Sequence, residues 1–179
     1  MSSEPKFIPA SSQTVGPFFR IGLESLMNCA PAIDSAAVTI HGRVLDRDGA
    51  PVSDAMLEFW SSACDGTLSS DAYPQGFRRV GTDLDGAFTV TSSRPKPIAM
   101  EDGSVQAPHL LVLVFARGLL RHLITRVNFD GETANAADPV LLSVPAARRN
   151  TLIARREGTD LFRWDVILQG NDETVFFAW

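Results

Sequence analysis

The sequence is poor in the residues from which most metal, redox and nucleophilic sites are built. Its two cysteines, Cys29 and Cys64, form no CxxC or zinc-type spacing, which argues against a structural zinc site and a disulfide-dense scaffold. The first residues, Met1 to Phe7, lack a basic segment followed by an apolar one. No secretory signal is therefore expected, and the two thiols are expected to be reduced in the cytoplasm, with a disulfide as the open alternative. Three histidines, His41, His109 and His122, never form H-x-H or H-x-x-x-H, so sequence spacing identifies no metal pair. No apolar run reaches the ~18 residues of a spanning helix, so no membrane is expected. Lysine and arginine number 16 against 21 acidic residues, a net charge of −5. Basic residues cluster no further than pairs such as Arg148-Arg149 and Arg155-Arg156, and no nucleic-acid partner is expected. Nothing matches a G-x-S-x-G elbow, a Walker loop or G-x-G-x-x-G, which leaves serine hydrolysis and nucleotide binding without support.

What is present reads as strand. At 179 residues, 45% of them hydrophobic, the chain fits one domain with a real core. Val38, Ile40, Gly42 and Val44 alternate with Thr39, His41 and Arg43, and Ala55, Leu57 and Phe59 repeat the period-2 pattern. Phe88/Val90, the segment His122–Phe129, the series Phe162, Trp164, Val166 and Leu168, and the apolar end 174–179 add further strands. Asp46-Arg-Asp-Gly49 and Asp83-Leu-Asp-Gly86 are turns of one chemistry. Residues 61–80 read as loop, 92–108 as a proline-rich connection, and 145–155 as the one helical piece, started by Pro145. The fold class implied is all-β, an antiparallel β-sandwich over 37–179 with one short helix. An extended N-terminal arm and connecting segment fills 1–36. Gly16-Pro17 bends this arm into Phe18 and Phe19, which pack either on the body or on a neighbouring subunit.

One stretch carries a question of chemistry. Ala107 to Gly118 reads A-P-H-L-L-V-L-V-F-A-R-G: a histidine, an apolar run expected to be buried on both faces, then a lone cation. A charge placed there costs free energy unless it is paired, so Arg117 is expected to have a partner. An internal Asp or Glu would serve, and so would a ligand. His41 and His122 read as ordinary strand histidines. Arg126, in a period-2 strand, reads as solvated or at an interface.

Four segments in order, Q-T-V-G-P-F-F-R-I-G-L, H-G-R-V-L-D-R-D-G-A-P-V-S-D-A-M-L-E-F-W, A-P-H-L-L-V-L-V-F-A-R-G and Q-G-N-D-E-T-V-F-F, resemble the intradiol ring-cleavage dioxygenases. Within that family they are similar to the chain that carries no iron in two-chain members. The resemblance runs from about Ser12 to Trp179. It implies a β-sandwich and O₂-dependent cleavage of a catechol between its hydroxyl-bearing carbons. It also implies Fe(III) held by two tyrosines and two histidines, hard phenolate oxygen suiting the higher oxidation state. This chain has one tyrosine, Tyr73. Where the iron-binding chain carries H-x-H, His109-Leu-Leu111 stands here. Leu68 and Pro97-Ile98 occupy the regions of the two ligand tyrosines. The resemblance thus implies that the iron belongs to a β subunit, that this chain completes the β subunit's site, and that αβ units assemble further. By the same resemblance, Thr14, Gly16, Pro17 and Arg117 line that site. Arg117 would face the carboxylate of 3,4-dihydroxybenzoate (protocatechuate), with Arg126 and His122 as fallbacks. Arg20 stands where such chains carry histidine. The alternative from another class is a β-sandwich binding or structural module without chemistry.

Overall fold

The computed structural model describes residues 10–23, 36–62 and 76–178. Cys29, Cys64, Leu68 and Tyr73 lie outside the described residues.

Strands dominate, as expected. They are β1 (Ala37–Leu45), β2 (Met56–Ser61), β3 (Phe77–Gly81), β4 (Ala87–Ser93), β5 (Ile98–Ala99), β6 (Val105–Gln106), β7 (His109–Phe115), β8 (Leu123–Phe129), β9 (Ile153–Arg156), β10 (Leu161–Arg163) and β11 (Val166–Ile167). One layer runs β4-β1-β10-β9 and the other β9-β8-β7-β2-β3, with β9 shared between them. Between the layers, Ile40, Phe88 and Phe162 meet Phe59, Val112 and Phe129 in a single core. Ring pairs cross it, with centroids 5.9 Å apart for Phe59–Phe88 and 5.0 Å for Phe129–Phe162. Burying such rings removes 150–250 Å² each from water, which makes them the main apolar contribution to the packing.

The two D-x-D-G turns are built alike. Asp46 accepts from the amides of Asp48 (2.9 Å) and Ala50 (2.8 Å), and Asp83 from those of Asp85 (2.9 Å) and Ala87 (2.8 Å). Gly86 takes φ +69°, and a Cβ there would sit 2.7 Å from the Val44 carbonyl oxygen. Gly42 is needed for a different reason. A Cβ on it would lie 1.7 Å from the carbonyl oxygen of Trp164, where the chain between β10 and β11 runs alongside β1.

Several sequence expectations are corrected. Pro17–Leu23 is a helix, α1, not extended arm; proline suits a first turn because its missing N–H has no intrahelical partner to lose. Phe77–Gly81, read as loop, pairs with β2 along its whole length. The run Leu110–Ala116 is not buried on both faces: Leu111, Leu113 and Phe115 are only half-buried. The helix read over 145–155 is a 3₁₀ turn, Ala146–Leu152, followed by β9. Two further helical pieces precede it, the 3₁₀ turn Thr133–Ala137 and the helix α2, Pro139–Ser143. The strand read through Leu168 is split into β10 and β11. Residues 174–178 keep only a bridge from Phe177 to Ile124. Three pairings, β1–β10, β1–β11 and β8–β9, are parallel. Among the described residues no helix is long and apolar enough to cross a membrane.

Candidate functional site

The cation at the end of β7 is placed by strand register. In the β2–β7 ladder Met56 pairs with Phe115; continuing two residues past the ladder sets Asp54 opposite Arg117. Arg117 Nε donates to Asp54 Oδ2, and the Arg117 side chain stays 64% exposed. The partner expected for this cation is therefore an Asp of the same chain. Ala116 is buried and Gly118 takes φ +86°, which turns the chain back sharply once the strand ends.

Two other segments meet at this turn. The Gly118 amide donates to Thr14 Oγ1 at 2.8 Å, joining residues 104 apart in sequence. Arg20 donates from Nη1 to the Ser53 carbonyl at 2.5 Å, tying α1 to the residue before Asp54. Phe19 packs on Phe115, ring centroids 5.3 Å apart. The result is a hollow of about 260 Å³ lined by Val15, Gly16, Phe19, Asp54, Phe115 and Arg117. Of the residues singled out in sequence, Thr14, Gly16 and Arg117 come together here, and Pro17 begins the helix that carries Phe19 and Arg20. Asp54 was not anticipated. Its only signal is the acidic residue in the turn before β2, which becomes meaningful once the β2–β7 register is known.

A second cation lies on the neighbouring strand and differs in every respect. Arg126, expected to be solvated or at an interface, is buried, its side chain 4% exposed and that of its partner Asp138 0%. The cause is the segment 133–143, which covers this face of β8. Arg126 Nη2 donates to Asp138 Oδ2 (2.6 Å) and Nε to Asn128 Oδ1 (2.9 Å). Asp138 also accepts the Ala107 amide (2.7 Å) and caps α2 by accepting the Leu141 amide (2.8 Å). Burial opposes its ionisation, but the Leu141 amide, the Arg126 guanidinium and the Ala107 amide together hold the carboxyl below its ordinary value. Burial likewise lowers the Arg126 pKa, with Asp138 acting against the shift. The Asp138-Pro139 pair, an N-cap before an N1 proline, is a signal for this helix start that the sequence reading missed.

His109 belongs to the same corner. It is buried, and its Nδ1 lies 2.8 Å from the Ala107 carbonyl. Burial first, and the Arg126 charge second, lower its pKa, so the ring is neutral at pH 7. His122 is exposed and stacks near Phe115 (5.3 Å), while His41 pairs with Glu157 at 2.8 Å.

A family model described as Dioxygenase matches residues 27–170. The chain is 45% identical to the protocatechuate 3,4-dioxygenase alpha chain of Burkholderia cepacia, over 93% of this chain and 95% of that one. It is 27% identical to the protocatechuate 3,4-dioxygenase beta chain of the same organism, over 76% of this chain and 66% of that one. Among solved structures, catechol 1,2-dioxygenase from Pseudomonas arvilla C-1 superposes with a TM-score of 0.58 at 20% identity. That match covers 83% of this chain, which spans 62% of the other protein's length.

Proposed function

The chain belongs to the intradiol dioxygenase family, and we propose that within it this chain is the non-iron α subunit of a protocatechuate 3,4-dioxygenase. It completes a site whose Fe(III) is held by a β subunit, in an assembly of αβ units in the cytoplasm. The enzyme converts 3,4-dihydroxybenzoate and O₂ to 3-carboxy-cis,cis-muconate. The observation that carries this assignment is the hydrogen bond from the Gly118 amide to Thr14, which brings the T-V-G-P segment against the F-A-R-G turn beside an exposed guanidinium.

The described residues do not fit a ferric centre. Hard anionic donors suit Fe(III). At the start of β7 there is one histidine, tied to a backbone carbonyl, and the charges acting on it are the Arg126 guanidinium and the Asp138 carboxylate already bound to that guanidinium. Among the described residues no three His, Cys, Asp or Glu side chains gather. The role assigned to this chain is therefore recognition. Arg117 faces the substrate carboxylate, where a planar guanidinium gives directional, charge-assisted hydrogen bonds. Thr14, Gly16 and Pro17 form the wall beside it.

Co-expression with a β-type chain tests the assignment. The complex is expected to contain iron, to carry a tyrosinate–iron colour and to take up O₂ only when protocatechuate is present. The same colour in the isolated chain would overturn the non-iron role. Failure to assemble with any β chain would favour a structural β-sandwich without chemistry.

A further inference from the structure

Resting on the assignment of Arg117 to a substrate carboxylate, we infer that Asp54 is a positioning residue that aims the guanidinium. A guanidinium offers two edges to a carboxylate, one through Nε and one through the pair Nη1/Nη2. Asp54 takes the Nε edge. The terminal edge makes no hydrogen bond to any described residue, and the side chain is 64% exposed. The unengaged edge is the one that accepts a carboxylate in two parallel bonds.

Asp54 is itself held. Its backbone enters β2 opposite the exit of β7, so the pair forms across two strand ends rather than between two free side chains. The Arg20 bond to the Ser53 carbonyl anchors the preceding residue, and the Asp54 side chain is only 23% exposed. An unrestrained arginine at a turn would lose rotamer freedom on meeting a ligand; one already held at Nε has lost part of it beforehand. Asp54 also lowers the net positive charge facing the ligand. Aim and attraction therefore pull in opposite directions, and measurement can tell which governs.

The test uses the iron-loaded αβ enzyme with 3,4-dihydroxybenzoate as substrate and uncharged 3,4-dihydroxybenzamide as competitive inhibitor. Asp54→Asn is expected to raise KM for the acid about five- to tenfold while the amide's inhibition constant moves less than about twofold. In Asp54→Asn/Arg117→Ala the loss is expected to be no larger than in Arg117→Ala alone, because residues acting as a unit are not additive. Asp54→Glu, which keeps the charge but lengthens the arm, is expected to give a smaller rise with the same preference for the acid. A fall in KM for Asp54→Asn would mean that the aspartate competes with substrate, and would overturn the proposal. Equal shifts for acid and amide, or losses that multiply in the double variant, would reduce Asp54 to a structural role. If Arg117→Ala leaves the acid's KM unchanged, the assignment of Arg117 fails instead, whatever Asp54 does.

Discussion

Two arginine–aspartate pairs stand on neighbouring strands, and they illustrate how burial sets what a charge can do. Arg126–Asp138 is sealed: the carboxylate meets the guanidinium and two backbone amides, and the guanidinium reaches Asn128 as well. A buried pair repays its desolvation only when its remaining donors and acceptors are also satisfied, and this one comes close to that condition. Arg117–Asp54 is open, with one edge engaged and the rest in solvent. An exposed pair adds ~0–1 kcal/mol to stability. The first pair therefore holds the fold, and the second is available to a ligand.

The contrast can be broken from either side. The largest effect is expected from Arg126→Ala, which strands Asp138 in the interior and should cost about 3–5 kcal/mol in urea unfolding of the purified chain. A loss no larger than that of a surface substitution would show that the corner is wetter than its geometry implies. Arg117→Ala should do the opposite. Its unfolding free energy is expected to stay within about 0.5 kcal/mol of the parent. In the αβ enzyme, kcat/KM for protocatechuate should fall about 10- to 100-fold, the range for losing a hydrogen bond to a charged group. Lysine at 117 should restore only part of that, since it is a point charge without a planar fork. Thr14→Val removes the acceptor of the Gly118 amide and should raise KM about two- to fivefold, corresponding to ~0.5–1 kcal/mol for one exposed hydrogen bond.

The smallest effect, and the one confined to the sealed corner, is pH dependence. His109 has its folded pKa lowered by burial, so between that value and about 6.5 the unfolded chain binds the proton and the folded chain does not. Its stabilisation is fully present above about pH 6.5 and is lost as pH falls toward the folded value. Asp138, also depressed, contributes stability above about pH 4 that is lost as pH falls through its folded pKa. The urea midpoint should therefore drop between pH 7.5 and 5.5, and His109→Gln should flatten that step. An equal step in the variant would place the titrating group elsewhere.

Much of this was legible in the chain. Alternation at Val38, Ile40 and Val44 marked β1, and the two D-x-D-G turns closed as read. Arg126 was misread for a definite reason. In L-I-T-R-V-N-F a period of two separates the faces of the strand but says nothing about what covers each one. Here Asn135 and Asp138, in the segment leading into α2, meet that polar face at Asn128 and Arg126, and both faces are buried from Thr125 to Phe129. The short helix at 17–23 was missed because Gly-Pro followed by aromatics suits a bend as well as a helix start.

Local rules written in consecutive residues thus determined the strands, the turns and the presence of two cations. Which cation became structural and which stayed open was decided by tertiary structure. The pairing of Asp54 with Arg117 depends on the β2–β7 register, and that of Asp138 with Arg126 on where a crossover segment lies. Both are contacts between distant parts of the chain, and no local pattern encodes a non-local distance.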